Sequence, residues 1–442
     1  PLVAASRARG NLTQELSDHF AWQPFLVTDK TINAFALPGG YVGVHLGLIS
    51  MTATSDELAS VLAHEMSHVT QRHIARMIGN EQRVSMVGIA SMILGILAAA
   101  RSPQAGEALI VGGQAVTAQG QLNFSRDRER EADRVGFGVL QGAGYQPAGM
   151  AGMFERLAAA SRLTDSGDFP YLRSHPLTTE RIGEARARLG VNADENPAMS
   201  KNLLEHAAYR GRARALMDPR AAALARVAAN EGGAATSKAE RLTSVYAAAL
   251  AATKLKEWPR ADEMLAQARE LAQGDAGAAR AVALLQAESS IERGDAARAA
   301  AALAPHAGDG TRPVAMLQAR LALLPGTPRA QLRRSVDELQ TWVALHPKDA
   351  LAWTYAAQAW ERLDEPLRAV RAQAEVRVAI GDYDGAVDRL HAGQTLARKS
   401  AARDSIEASV IEARMRDVQA LRRREMADER GNNKDKSEEP KS

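Results

Sequence analysis

Apolar residues recur every three or four positions along most of this chain, which predicts helices nearly throughout. Thr54-Ser55-Asp56-Glu57 reads as a capping box, with Thr54 capping and Glu57 reaching back. Leu58, Val61, Leu62, Val69, Ile74 and Met77 then mark one face of a helix running to Ile78. Before it, residues 31–37 and 41–49 are apolar stretches joined by Pro38-Gly39-Gly40, so they read as a β-hairpin on which that helix packs. An open edge of the pair would accept an extended polypeptide as an added strand. A second helix is headed by Ser125-Arg126-Asp127-Arg128-Glu129-Arg130-Glu131-Ala132-Asp133 and runs on through Val135, Gly136 and Phe137. Between the two lie residues 84–100, seventeen without a charge, at the lower limit for spanning a bilayer. Met86, Ile89, Met92, Ile93 and Ile96 fall at helical spacing there, so a buried or lid helix is expected, with peripheral membrane contact through 84–100 as a second use. Residues 102–121, rich in Gly, Ala and Gln, read as part of a lid over a cleft.

The chain changes character after Gly190. Residues 192–197 form a turn-rich connector, and nearly everything to residue 428 is helical in pattern. Turn signals recur at Leu255 to Ala261, Arg293 to Ala299, Leu363 to Ala369 and Gly381 to Ala386. Ala261, Ala299 and Ala369 are spaced by 38 and 70 residues, close to one and two tetratricopeptide units of about 34. His346-Pro347 followed by Trp353, Tyr355 and Ala359 resembles that repeat's turn and first helix. Residues 401–426 read as a long closing helix, and the charged stretch beyond as disordered. The expected organisation is residues 1–195, 196–428 as tetratricopeptide-like helix pairs, and 429–442 as tail.

The chemistry concentrates at His64-Glu65-Met66-Ser67-His68. In a helix of 3.6 residues per turn the two imidazoles at i and i+4 reach one metal ion, and Glu65, about 100° away, stays free to serve a metal-activated water. A catalytic zinc needs a third protein ligand. Gln71 and Ile74 stand where a downstream Gly and His would extend the motif, so the ligand must come from elsewhere. Glu129 is the candidate, with Asp133 one turn on as a hydrogen-bond acceptor for a ligand imidazole; Glu131 is the competitor, pointing about 160° away from both. His45 reads as packed rather than ligating, because the ligand set is already full.

These motifs, together with Ser174-His175-Pro176 and the segment from Ile32 to Val44, resemble the gluzincin family that includes the CAAX prenyl proteases and their soluble bacterial relatives. The resemblance covers about residues 10 to 190. It implies a zinc endopeptidase with one Zn2+ on His64, His68 and Glu129, and Glu65 as catalytic base. It also gives His175 a site role, as oxyanion donor or as an occupant of the open zinc position that must leave before substrate binds. Arg181 would anchor the last helix to the site. The fold expected is mainly α: an α+β gluzincin-type domain with a small β-hairpin or sheet, then an α-solenoid of tetratricopeptide-like pairs. The implied clients are unfolded or misassembled envelope proteins, with outer-membrane β-barrel precursors among them, and the implied partner is the β-barrel assembly complex in the periplasm. A chaperone or assembly adaptor with a closed or mainly structural zinc site is the alternative.

Composition narrows this further. Forty-six per cent hydrophobic residues over 442 positions suffice for more than one core, and 4% aromatics amid abundant alanine favour close helix packing. No cysteine is present, which excludes disulfides, thiolate metal sites and cysteine catalysis. A net charge of +3 without an aromatic-laced basic stripe argues against nucleic acid. The start at Pro1-Leu2, without Met or a charged-then-apolar leader, suggests a processed precursor.

Overall fold

The computed structural model describes residues 1–14, 17, 20–37, 39–73, 125–163, 168–189, 202–229, 237–399 and 405–437. The chain is mainly α with one three-stranded sheet. It divides into two compact units, the described residues up to Ser289 and those from Ser290 onward. The uncharged stretch 84–100, the lid stretch 102–121 and the connector 192–197 lie outside the described residues. Among the described residues no helix is long and apolar enough to cross a membrane.

The first unit opens with α1 (Leu2–Ala8) and β1 (Gln23–Val27), followed by β2 (Ala34–Leu37) and β3 (Tyr41–His45). The hairpin is present: β2 pairs antiparallel with β3 in the register Ala34↔Val44 to Leu37↔Tyr41. The strand β1 escaped the sequence reading. It pairs parallel with β3 along its other side, giving the order β1-β3-β2, so β2 is a sheet edge. Pro24, which cannot donate to a ladder, and exposed Leu26 obscured the pattern of an edge strand. The second strand is also shorter than expected, because residues 46–51 form helix α2 (Leu46–Met51). The chain folds back there onto the 29–31 loop: Gly47 N–H donates to Asp29 O at 2.9 Å. A Cβ on Gly47 would lie 2.1 Å from Lys30 O, so only glycine permits the turn.

The capping box opens α3 (Ser55–Thr70): Thr54 Oγ1 accepts from Glu57 N–H at 3.1 Å, and Glu57 Oε2 accepts from Ala53 N–H. Arg156, on a later helix, donates to the same carboxylate at 3.0 Å through both Nε and Nη2. The helix stops at Thr70, not Ile78. Gln71 caps it and Arg72 sits in the left-handed region at φ 55°, which breaks the helix before His73. Next come α4 (Arg126–Gly142), α5 (Ala148–Leu163), α6 (Pro170–Ser174) and α7 (Thr179–Leu189). α4 approaches α3 closely at Gly136, where an added Cβ would lie 3.2 Å from Ala63 C and His64 N. Val61, Met153, Leu157 and Tyr171 join the sheet's Ala34, Val42 and Val44 in one core, while Ala59, Ala63, Val139 and Leu140 pack in a second.

Helical hairpins follow within the same unit: α8 (Leu203–Leu216), α9 (Ala221–Ala229), α10 (Lys238–Leu255), α11 (Trp258–Leu271) and most of α12 (Ala276–Glu292), whose last residues lie past the boundary at Ser289. α8 packs on α2, and Thr52 Oγ1 meets His206 Nε2 at 3.0 Å. Alanine makes these approaches close: Ala247 through Ala252 in α10 are essentially solvent-free. The second unit continues with α13 (Ala296–Leu303), α14 (Arg312–Ala322), α15 (Arg329–Leu345), α16 (Ala350–Arg362), α17 (Pro366–Ala379), α18 (Tyr383–Lys399) and α19 (Ser405–Ser437). Helices α10, α12, α14, α16 and α18 begin at residues 238, 276, 312, 350 and 383, a helix pair every 33 to 38 residues. The turn signals mark interhelix corners, with Lys256, Gly294, Asp364 and Gly381 all at positive φ. Ala386 arrives early because its corner lies between pairs, joining α17 to α18, whereas the other three lie within pairs. α19 extends to Ser437, into the stretch whose charge pattern suggested disorder.

Candidate metal centre

Residues from three separate elements converge under α3. His64 and His68 project from one face of that helix with Nε2 atoms 3.0 Å apart. Glu129, from the first turn of α4, places Oε2 3.4 Å from His64 Nε2 and Oε1 3.4 Å from His68 Nε2. His175, just past α6, places Nδ1 3.0 Å from Glu129 Oε1 and 3.4 Å from His64 Nε2. All four side chains are buried. Among the described residues this group offers one donor atom each from His64, His68, Glu129 and His175, all within 4.8 Å of one another.

The spacing carries chemical information. Zinc binds imidazole nitrogen or carboxylate oxygen at about 2.0–2.2 Å, and the corners of a tetrahedron of that radius lie about 3.4 Å apart. The contacts here run from 3.0 to 3.4 Å using both Glu129 oxygens, and single donor atoms from the four residues lie within 4.8 Å of one another, close enough for this nitrogen and oxygen set to share one divalent metal. Glu65 stands beside the group, not in it. Its Oε1 is buried without a hydrogen-bond partner and lies 3.5 Å from His175 Nε2. Burial pushes its carboxyl up, opposed by nearby His175 and His64 and by a backbone hydrogen bond from Ala36 on the edge strand β2.

Outer contacts hold the donors in place. His64 Nδ1 lies 2.8 Å from Asp133 Oδ1. Arg181 donates to both Asp133 oxygens, at 2.7 Å from Nε and 2.8 Å from Nη2. Its Nη1 also lies 2.8 Å from Glu129 Oε2 and donates to Pro176 O at 2.9 Å, which ties the His175 loop to α4 and α7. Burial alone would lower His64, but Asp133 and Glu129 outweigh it and raise its pKa to about 10. Asp133 resists the upward pull of burial through His64 and Arg181 and titrates near 2. Glu129 is held far below the carboxylate range by His175, His64 and His68, against burial. His68 goes the other way, well below 6.5, chiefly through burial. The His175 ring stacks on Tyr171 at 4.7 Å and 28°.

The seven residues assigned to the site from the sequence meet at one place: His64, Glu65, His68, Glu129, Asp133, His175 and Arg181. Glu131 does not join the donors; its side chain is one-third exposed and meets His73. His45 is packed elsewhere, between Thr31 Oγ1 at 2.9 Å and Asn33 Nδ2 at 3.5 Å. Sequence reading missed His73, which is fully buried beside His68. The signal was a histidine five residues past the motif, hidden by the assumption that the helix continued.

A helix-borne His-Glu-x-x-His motif, a carboxylate from a second helix and an adjacent free glutamate define a centre of the metallopeptidase kind. Residues 11–189 match Peptidase family M48, so this segment is similar to the peptidase domains of that family. It is similar to the putative beta-barrel assembly-enhancing protease of Vibrio cholerae serotype O1, with 43% identity over 164 residues, 37% of this chain and 34% of that protein. The beta-barrel assembly-enhancing protease of Yersinia pestis is 41% identical over 180 residues, 41% of this chain and 37% of its own length. That of Escherichia coli (strain K12) is 42% identical over 164 residues, 37% of this chain and 34% of its own. The chain thus covers about a third of the length of these curated relatives.

Proposed function

We propose that this chain is a zinc-dependent endopeptidase of the bacterial envelope that degrades misfolded or stalled proteins in the periplasm. The observation that carries this reading is the convergence of donor atoms from His64, His68, Glu129 and His175 within 4.8 Å, beside the buried carboxylate of Glu65. His64, His68 and Glu129 would hold one zinc ion. Bound there, zinc supplies Lewis acidity, activating water near neutral pH and polarising a peptide carbonyl. Glu65 takes the proton of the attacking water and hands it to the leaving amine; its raised pKa suits both transfers. Edge strand β2, whose Ala36 backbone meets Glu65, favours extended substrate laid along the sheet beside the site. Arg181 and Asp133 keep Glu129 and His64 in register.

The relatives' printed names support outer-membrane β-barrel precursors as clients and the β-barrel assembly complex as partner. The helix pairs beyond residue 202 suit that second duty, since stacked pairs present broad surfaces to proteins.

His175 favours a second reading in which the site rests closed. Its Nδ1 lies against Glu129 Oε1 and His64 Nε2, where a substrate carbonyl would have to reach the metal, so the chain would act mainly as an assembly adaptor until the loop moves. Digestion of an unfolded model protein by the zinc-loaded chain, beside Glu65→Gln with zinc measured in both, tests the main reading. Cleavage by the parent alone is expected; equal silence with zinc bound favours the closed adaptor, and equal cleavage overturns the role of Glu65.

A further inference from the structure

His64 and His68 turn their Nε2 atoms to the centre, so each presents Nδ1 outward. A neutral imidazole that gives the Nε2 lone pair to a metal carries its proton on Nδ1, and that proton needs an acceptor in a buried site. For His64 the acceptor is Asp133, 2.8 Å away. For His68 the neighbour is a second imidazole: His73 Nδ1 stands 3.0 Å from His68 Nδ1. His73 Nε2 in turn stands 3.0 Å from Glu131 Oε2. One set of tautomers satisfies the whole line, with His68 donating from Nδ1 to His73 Nδ1 and His73 donating from Nε2 to the Glu131 carboxylate.

The backbone is arranged to make this contact. Continued helix would carry residue 73 onward, away from His68. Instead α3 ends at Thr70, Arg72 takes a left-handed conformation at φ 55°, and His73 returns under the second motif histidine with none of its surface exposed. The two imidazole rings meet edge to face at 5.0 Å and 72°. A non-glycine residue at positive φ costs energy, and this turn brings His73 against His68.

We propose that His73 and Glu131 form a relay that orients His68 for metal binding, with His73 as a positioning residue and Glu131 as its carboxylate anchor. The inference rests on the reading of His64, His68 and Glu129 as zinc ligands. It predicts unequal support for the two imidazoles: His64 is held directly by a carboxylate, and His68 through a ring that fixes its tautomer at one remove. Glu131, set aside as a ligand, keeps a role in the same centre.

The test is zinc affinity of the metal-free full chain, titrated with Zn2+ against a chromophoric chelator, and the visible spectrum of the Co2+ form. His73→Phe keeps the ring and removes both hydrogen bonds; it should weaken zinc about 10–100-fold and alter the Co2+ bands. His73→Gln, which can still accept from His68 and donate to Glu131, should recover most of that loss. Glu131→Gln, at a part-exposed position that folding tolerates, should weaken zinc about tenfold or less, and should add nothing in the His73→Phe background. Affinities within about twofold of the parent for both His73→Phe and Glu131→Gln would overturn the relay, as would full additivity of the two. If His73→Phe does not fold, Glu131→Gln decides alone. A parent whose zinc affinity is indifferent to His68→Ala would overturn the ligand set itself, and the relay with it; a parent that needs His68 but ignores His73 and Glu131 would overturn only the relay.

Discussion

Arg181 is the residue on which the most buried charge depends. It lies between Asp133 and Glu129 in a region from which water is excluded, and together with His64 it keeps Asp133 ionised there against burial. Removing one member of a buried charge network leaves the others without compensation, typically at about 3–5 kcal/mol. Arg181→Ala should therefore lower the melting temperature of the metal-free chain and raise the pKa of Asp133, measurable by calorimetry over pH; an unchanged melt would mean that water replaces the guanidinium. His175 makes a prediction of opposite sign. Because its Nδ1 lies within 3.4 Å of both Glu129 and His64, His175→Ala should speed cleavage of a small unfolded peptide while leaving the chain loaded with zinc. Abolished cleavage with zinc retained would instead assign His175 to the oxyanion. A residue's type and motif position were legible for both from sequence. Their partners were not, since Asp133 and Arg181 are 48 positions apart and only the packing of α4 on α7 makes them neighbours.

At the scale of elements, the site depends on how closely α4 can approach α3. Gly136 faces the backbone of Ala63 and His64, with a prospective Cβ 3.2 Å from both, two turns from Glu129 along α4. Gly136→Ala must push the helices apart by a few tenths of an ångström, at roughly 1–3 kcal/mol, and should loosen zinc as well as lower stability. Equal zinc affinity in the variant would show that the glutamate adjusts independently. A second contact between elements responds to pH. His206 on α8 meets Thr52 beyond α2, and burial, with Arg210 nearby, lowers its pKa to about 4 from 6.5. The unfolded chain thus binds the extra proton first as pH falls. Stability contributed by the neutral, buried His206 is complete above about pH 6.5 and is lost progressively down to pH 4, by roughly 3 kcal/mol at most. His45, also held near 4 by burial, adds in the same direction. His206→Gln should flatten the dependence of melting temperature on pH between 6.5 and 4; an unchanged slope would place the acid sensitivity elsewhere.

For the whole molecule, the helical region does not begin as an independent appendage. α8 packs on α2 within the first compact unit, which runs to Ser289. A chain cut after residue 200 would expose the face of α2 and Thr52 that His206 covers, whereas a cut after residue 289 leaves that unit entire. The longer fragment should retain cleavage of a small unfolded peptide and the shorter should lose stability or activity, read by a peptide assay beside thermal melting. Equal behaviour of the two fragments would show that the helices from 202 to 289 contribute nothing to the peptidase centre.

Sequence alone determined the helical rhythm, the hairpin, the pair of motif histidines on one helix face with Glu65 between them, and the repeat corners. Each depends on interactions between residues a few positions apart, or on a turn geometry that one residue type dictates. Tertiary structure decided the rest. The parallel strand β1 pairs with β3 although β2 lies between them in sequence, and its largely part-exposed residues carry no alternation to read. The end of α3 at Thr70 followed from a left-handed Arg72, where helical propensity alone would continue. The assignment of His73 to His68, of Glu131 to His73 and of Arg181 to Asp133 came from helices brought together by burial. Local pattern specifies elements because its interactions are local; a metal centre draws on three elements at once, and which side chains meet there is settled only when those elements pack.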